Sequence, residues 1–484
     1  MMNRDEIRAV YDRGPEAVIE LVEHLFAIIA QQQQQIASLT QRVAELEARL
    51  NIDSHNSSKP PSSDTFKKKR SLRKKGRKNR GAQTGHEPHT LQRVDNPDQV
   101  ITHQVEICEC CKSSLKDVDA SDYYARQVFD LPQVKMEVTE HQVEVKICPR
   151  CGVRCEGQFP PGVRNITQYG ETIKSLSVYL MNYQLLPYRR TREVLAEFIG
   201  QPLAEGTLQT ALEECFNGLE QTHELIREAL LKAKLTHLDE TGFYVEGKRR
   251  WLHVASTSGL TYYAHHSKRG CKAMDEIAIL PHFKGIAMHD GLHCYLTYPC
   301  EHAFCNAHHL RELTYLEEEQ HCKWAARMKQ LLIEIKRAVD VARDGGNSSL
   351  SKAEIERYES RYENILNQGY RIESRKPAPM SGKRGRKKQS KAKNLLDRLR
   401  RYRRETLRFM HDFGVPFDNN QAERDVRMMK VQQKISGSFR TSQGARIFCR
   451  IRSYISTMRK QGHNLLAALR SVFAGSPIFP ALSG

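Results

Sequence analysis

Between about residues 18 and 50 the apolar positions recur every seven residues. Val22, Ile29, Ile36, Val43 and Leu50 form one series, and Leu25, Leu39 and Leu46 sit three residues after members of it. A heptad sustained this long predicts a coiled-coil helix whose stripe packs on a second copy or on another helix of the chain. Gln32 interrupts the second series, and a polar residue buried there would weaken the zipper while fixing its register. The periodicity ends before "NSSKPPSSD" (56–64), where Pro60 and Pro61 exclude a helix interior. From 92 to about 160 apolar and polar residues alternate, as in "MEVTEHQVEVKI" (136–147), and the alternation predicts strands. Residues 166–233 return to helical spacing. In "TREVLAEFIGQPLAEGTLQTALEECF" (191–216), Gly200, Gln201 and Pro202 split two short amphipathic segments with helix-turn-helix spacing, Thr207 lying on the second.

The next stretch carries candidate chemistry. "KLTHLDETGFYV" (234–245) reads as a strand ending in Asp239 and Glu240, and "RRWLHVASTSGLTYYAHH" (249–266) as a hairpin turning at Thr257, Ser258 and Gly259. "CKAMDEIAILPHF" (271–283) reads as a helix, "GIAMHDG" (285–291) as a short strand ending at Asp290, and "EHAFCNAHHLREL" (301–313) as a strand entering a helix. This order is that of a ribonuclease-H-like sheet, in which the first and fourth strands are neighbours, so Asp239 and Asp290 would approach one another. A late helix would supply a third acid. In "FDNNQAERDVRMMKV" (417–431), Asp418, Asn419 and Asn420 read as a helix entry and Glu423 falls in its first turn.

Each acid alone has a plain structural explanation. An Asp at a strand end is ordinarily a turn residue, and Asn420 with Glu423 is close to a capping box. Three carboxylates crowded together would repel one another without a cation, so their convergence would be functional. Two Mg²⁺ (or Mn²⁺) about 3.5–4 Å apart, held by such oxygens, would suit phosphodiester cleavage and transfer. The cap then falls to Asp418 or to the Asn419–Asn420 pair. Arg424 and Arg427 become candidates for holding DNA phosphate or for balancing the acids.

Charge supports a polyanionic partner. The 484 residues carry 76 Lys and Arg against 57 Asp and Glu, a net +19, which favours nucleic acid over a neutral substrate. The excess is concentrated in "KKKRSLRKKGRKNR" (67–80), where Lys67, Lys68, Lys69, Arg70, Arg73, Lys74, Lys75, Arg77, Lys78 and Arg80 could track phosphates without prior folding. A second basic stretch, "SGKRGRKKQSKAKN" (381–394), lies inside a helical segment. In 427–462 the Ile447, Ile451 and Ile455 stripe reads as core, with Arg446, Arg450 and Arg452 as candidates for phosphate contact. No run of about 18 apolar residues predicts a membrane span, and "MMNRDEIRAVYDRGPEAV" lacks the apolar core of a signal peptide, so a cytoplasmic location is expected.

Thirteen cysteines in such a chain point to metal more than to disulfides. Cys108 with Cys111 and Cys148 with Cys151 form two C-x₂-C knuckles, which together could hold one structural Zn²⁺. Cys110 and Cys155 lie close enough in sequence to compete.

In combination these blocks resemble the transposases of the insertion sequence sixty-six family of bacterial mobile elements. "LDETG", "HDG", "FCNAHHLREL" and "FDNNQAERDVR" are similar to that family's catalytic blocks in their order, and "NSSKPPSSD", the paired knuckles and the zipper to its upstream region. "GAQTGH" and "PLAEGTL" depart from the commoner forms. The resemblance implies a DDE transposase, with Asp239, Asp290 and Glu423 as its metal-binding triad and Cys305 and His308 in the Cys-x-x-His segment. It also implies double-stranded DNA partners (terminal inverted repeats and target), self-association, accessory element-encoded proteins and a nucleoid location. A catalytically silent DNA-binding regulator is the alternative. The expected organisation is a zipper over 1–52, a basic linker arm over 53–91, a zinc-binding β domain over 92–160 and a helical DNA-binding region over 161–233. A catalytic core would follow over 234–313 and 413–484, interrupted by a helical insertion over 314–412.

Overall fold

The computed structural model describes residues 4–53, 56–57, 91–131, 136–374 and 389–481. The chain divides into two units, one of residues 69–164 and 192–203 and the other of the remainder. The basic arm from Lys67 to Arg80, and 381–388 of the second basic stretch, lie outside the described residues.

The larger unit begins with α1 (Arg4–Tyr11) and α2 (Pro15–Leu50). Gly14, at φ +105°, turns the chain between them, and Pro15 opens α2 where its missing N–H has no helical partner to lose. The heptad stripe of α2 lies on the outside, with Ile36 63% and Leu39 66% exposed.

In the smaller unit the two-residue alternation produces little sheet. Among the described residues β1 (Val145–Ile147) and β2 (Arg154–Glu156) pair antiparallel, and Ile107 and Ser114 form an isolated antiparallel bridge. The strand-rich expectation for 92–160 is therefore corrected among the described residues. Val105, Val128, Val138 and Val145 are all exposed, so neither face of the alternating segments is covered. Alternation specifies a ladder only where one face is buried.

Helices follow as α3 (Glu171–Val178), a π-turn at Tyr179–Tyr183, α4 (Tyr188–Ile199), α5 (Glu205–Gly218) and α6 (Glu220–Lys232). The expected break after α4 is present, with Gly200 in the left-handed region at φ +76°.

Five strands make the central sheet: β3 (Leu235–Val245), β4 (Lys248–Ser256), β5 (Thr261–His266), β6 (Ile286–His289) and β7 (Glu301–Phe304). Their order is β5-β4-β3-β6-β7. The first three form an antiparallel meander, and β6 and β7 join parallel to β3. The first and fourth strands are thus neighbours, as expected. β3 does not end at Asp239 and Glu240, however. It pairs with β4 as far as Val245, while its pairing with β6 stops at His237 opposite Met288. Helix α7 (Cys271–Ile277) connects β5 to β6. Gly285 lets β6 start close to β3, since a Cβ there would collide with the carbonyl of Ala233.

After β7 come α8 (Asn306–Gln320), α9 (Lys323–Asp344), α10 (Lys352–Glu373), α11 (Lys391–Arg401) and α12 (Arg403–His411). They share a core that includes Trp324, Leu331, Tyr362, Leu396 and Phe409. The chain then returns to the sheet with α13 (Asn420–Ser436), α14 (Ser442–Lys460) and α15 (Leu465–Phe473). Ala422, Val426, Met429 and Phe448 pack on Phe243, Leu252 and Val254 on one face of the sheet. Ile226, Leu230 and Met274 pack on Leu238, Ala255 and Ala287 on the other.

α14 closes the β5 edge. Its Ser453 and Thr457 hydroxyls accept the N–H groups of Tyr263 and Thr261 at 2.8 and 3.0 Å. Ile447, Ile451 and Ile455 are buried as expected, but two of the three neighbouring arginines are structural rather than presented to a ligand. Arg452 donates to Asn182 O at 2.8 Å and Arg450 to Phe216 O at 2.9 Å, so helix-end carbonyls hold their guanidinium groups.

Lys460 Nζ, largely buried, reaches Thr257 O (2.9 Å), Leu260 O (3.0 Å) and Asp425 Oδ2 (2.8 Å). It thereby joins α13, α14 and the β4–β5 turn. Removing one partner of a buried pair leaves the other charge uncompensated. Lys460→Ala should lower stability by about 3 kcal/mol, read as an earlier chemical-denaturation midpoint. Lys460→Met with Asp425→Leu should recover most of the loss. A midpoint equal to wild type in the single variant would show that the clamp contributes nothing.

Candidate active site

The point where β3 parts from β6 positions the first two acids. Leu235 pairs with Ile286 and His237 with Met288, and Asp239 and Asp290 each lie two residues beyond that last pair. Asp290 is the first residue after β6. Its Oδ1 accepts the Leu292 N–H at 2.9 Å, and Gly291, at φ +89°, turns the chain away. Asp239 Oδ1 accepts the Glu240 N–H at 2.8 Å.

Asn419, 2% exposed, fixes where the third acid arrives. Its side chain makes a 2.8 Å hydrogen bond with His237 Nδ1 and donates to Leu238 O at 2.8 Å, both on β3. Its own N–H donates to Cys305 Sγ at 3.2 Å, at the end of β7. Although Asn419 is the N-cap residue of α13 by position, its side chain makes no capping bond. Asp418 Oδ1 accepts the Asn420 N–H at 3.2 Å instead. With the Asn419 and Asn420 N–H groups both taken elsewhere, the capping-box reading of Glu423 is not realised.

Glu423 therefore enters the site with its carboxylate uncommitted to its own helix. The acids act on one another: burial first, then the charges of Glu240, Asp290 and Glu423, hold the Asp239 carboxyl well above its usual range. The charges of Asp290 and Glu423 thus both reach Asp239.

Glu240, on the opposite face of β3 by alternation, has its own partners. Arg269 Nη2 lies 2.7 Å from Oε1, and the Tyr295 hydroxyl donates to Oε2. Burial and then the Asp290 charge still raise it.

The balancing cation differs from the one expected. Arg311 Nη2 lies 3.9 Å from Glu423 Oε2, whereas Arg424 donates to Gln421 at 3.0 Å and Arg427 is exposed. Cys305 Sγ lies 3.9 Å from Glu423 Oε1. Cys305, His308 and Glu423 form the one group of three potential ligands, among the described residues, whose donor atoms all lie within 4.8 Å of one another. Burial pushes the Cys305 thiol up to about 12 and lowers His308, whose ring is also disfavoured as a cation by Arg311. Arg311, Cys305 and His308 all fall in the "CNAHHLREL" block. Asn419 left no signal in the sequence beyond its resemblance to a cap.

In the smaller unit the two knuckles have the same turn. Cys108 and Cys148 each accept the N–H of the residue four positions on, Lys112 at 3.0 Å and Gly152 at 2.8 Å. Both of those residues adopt positive φ, 62° and 72°. Hydrogen bonding, led by the Ser113 hydroxyl, brings Cys111 down to about 7, and backbone N–H groups lower Cys148. These are features of thiolates ready for metal. The four sulfurs are not drawn into one group here.

Fold and site define a mixed α/β protein with a carboxylate centre at a strand junction and a separate cysteine-knuckle module. A family model described as "Transposase IS66 family" matches residues 167–447, and "zinc-finger binding domain of transposase IS66" matches 106–152. "Family of unknown function (DUF6444)" matches residues 11–92. The chain belongs to the IS66 family of transposases. No curated relative matches it. The zinc-finger match supports a structural zinc, and a transposase with such a domain implies DNA binding. Among the described residues no helix is long and apolar enough to cross a membrane.

The crowding of acids has a pH signature. A carboxyl raised in the folded state contributes stability below its unfolded value, and that stability is lost as pH climbs through the folded value. With no divalent salt added, Asp239→Asn should therefore melt at a higher temperature than wild type at pH 8. The gain should vanish near pH 4 and shrink when Mg²⁺ is added. Equal melting temperatures of the two proteins from pH 4 to 8 would mean that Asp239 is not crowded by charge.

Proposed function

We propose that this chain is a DDE-type transposase which cleaves DNA at the ends of its element and joins the freed strand to target DNA. The observation that carries the reading is that Asp239 and Asp290 each lie two residues past the last β3–β6 pair, with the charges of Asp290 and Glu423 both acting on Asp239. The meander joined to two parallel strands supports a ribonuclease-H-like core built from 234–313 and 413–484, with 314–412 as its insertion. The donor set suits the group that such chemistry uses: three hard oxygens in a site where the acids oppose one another's charge, which a divalent cation relieves. Bound there, Mg²⁺ or Mn²⁺ supplies an activated nucleophilic oxygen and stabilises the leaving one.

The chain's own groups have separable roles. Asp239 and Asp290, just past the last β3–β6 pair, would hold the ions. Glu423 closes the set from α13 and is steadied by Arg311. Glu240, with Arg269 and Tyr295, stiffens β3 directly behind Asp239. Arg424 and Arg427, exposed on α13, are placed to meet phosphates of the bound duplex. The arm from Lys67 to Arg80 adds sequence-independent affinity for element ends and target. Cys108, Cys111, Cys148 and Cys151 would hold the structural Zn²⁺. The exposed stripe of α2 pairs with a second copy, which gives the paired ends a symmetric partner.

Asp239→Asn, Asp290→Asn and Glu423→Gln should each lower strand cleavage by about 10³-fold, the scale of losing one charge-stabilising group. Binding to a labelled terminal-repeat duplex should be kept. The assay is Mg²⁺-dependent nicking and joining on cognate ends. Full activity in any variant removes that residue from the triad. Tight binding by wild type with no cleavage in Mg²⁺ or Mn²⁺ identifies a regulator instead.

A further inference from the structure

We propose that Cys305, His308 and Glu423 form a metal site of their own, selective for a thiolate-accepting dication such as Zn²⁺, at the edge of the carboxylate centre. The proposal rests on the reading of Glu423 as a metal-binding acid and adds a second kind of ligand field beside it. One sulfur, one imidazole nitrogen and one carboxylate oxygen lie within 4.8 Å of one another. Mg²⁺ seeks oxygen and avoids thiolate, whereas Zn²⁺ accepts all three donors. The Asp239–Asp290 pair offers oxygen alone. Two neighbouring positions of different hardness therefore meet at Glu423.

Four further observations fit a ligand. Cys305 is the N-cap of α8 and His308 lies three residues on, so both donors project from the first turn of one helix. The Asn419 N–H points at Cys305 Sγ from 3.2 Å, which fixes where the sulfur sits. His308 Nδ1 is sealed from solvent without a hydrogen-bond partner, a state that is costly for a ring nitrogen unless something occupies it. The two oxygens of Glu423 are also divided, Oε2 toward Arg311 and Oε1 toward Cys305. Three protein donors leave one tetrahedral position for water or a phosphate oxygen.

The test is zinc content of the full-length protein, purified in zinc-containing buffer and dialysed metal-free, with no DNA present. Wild type should hold about two zinc ions per chain, and Cys305→Ser and His308→Gln about one each. A variant with Cys108→Ser, Cys111→Ser, Cys148→Ser and Cys151→Ser should keep the other ion. With Co²⁺ in place of zinc, that knuckle variant should still show thiolate-to-cobalt absorption, lost on adding Cys305→Ser. Wild-type zinc content in both Cys305→Ser and His308→Gln, or a knuckle variant with no thiolate–cobalt band, overturns the site. Neither result depends on cleavage, so the triad reading is judged separately by nicking in Glu423→Gln.

Discussion

The arrangement at the centre depends on one buried amide. Asn419 is the last residue before α13, and its side chain bonds both His237 and Leu238 on β3 while its backbone N–H meets Cys305 after β7. Those contacts join three segments, each contact spanning 114 or more residues of sequence. An apolar residue of similar size would leave the Leu238 carbonyl and the His237 ring without partners in a closed site. The interaction is directional as well as favourable. It sets where α13 begins and therefore which side chain of its first turn reaches Asp239. Hydrophobic packing of Ala422, Val426 and Met429 on the sheet supplies the bulk of the adhesion but tolerates sliding. The amide supplies the register.

The second constraint is the parting of β3 and β6. A strand that keeps one neighbour and loses the other opens a notch in the sheet. β3 pairs with β4 at nine positions from His237 to Val245, so the notch is rigid on one side. Acids placed at such a notch lie half-buried and within reach of one another's charge. That is unfavourable for folding and useful for holding cations, and the raised Asp239 carboxyl is its measure.

Much of this was legible in the sequence because it depends on local pattern. The hairpin turn at Thr257–Gly259, the strand–Asp–Gly end at Asp290 and the helix opening near Asn420 all come from short-range chemistry. Strand adjacency followed from element order. What the pattern could not give was the tertiary use of single polar side chains. Asn419 looks like a cap, Arg450 and Arg452 look like phosphate ligands, and only the carbonyls they meet in the fold decide otherwise. The alternation over 92–160 misled for a related reason. It specifies two faces, but nothing in this small unit covers either, and a metal-dependent module organises around its ligands and not around a core.

The acids around α13 and β3 differ in how fully their charge is compensated. Asp425 lies two residues after Glu423 and so on another side of the helix. Lys460 at 2.8 Å and Gln421 at 3.0 Å satisfy it, and its charge is spent on holding α14 to α13. Glu240, adjacent to Asp239 but on the other face, is satisfied in the same way by Arg269 and Tyr295. Each structural acid thus has a cation and a neutral donor at short range. Glu423 has one guanidinium at 3.9 Å and a thiol at the same distance, and Asp239 has a backbone N–H and like charges. In a chain of net +19, with cations abundant, such incomplete compensation is not imposed by composition. It is maintained by the sheet alternation and the helix period, which turn one acid of each neighbouring pair toward a partner and the other toward the notch.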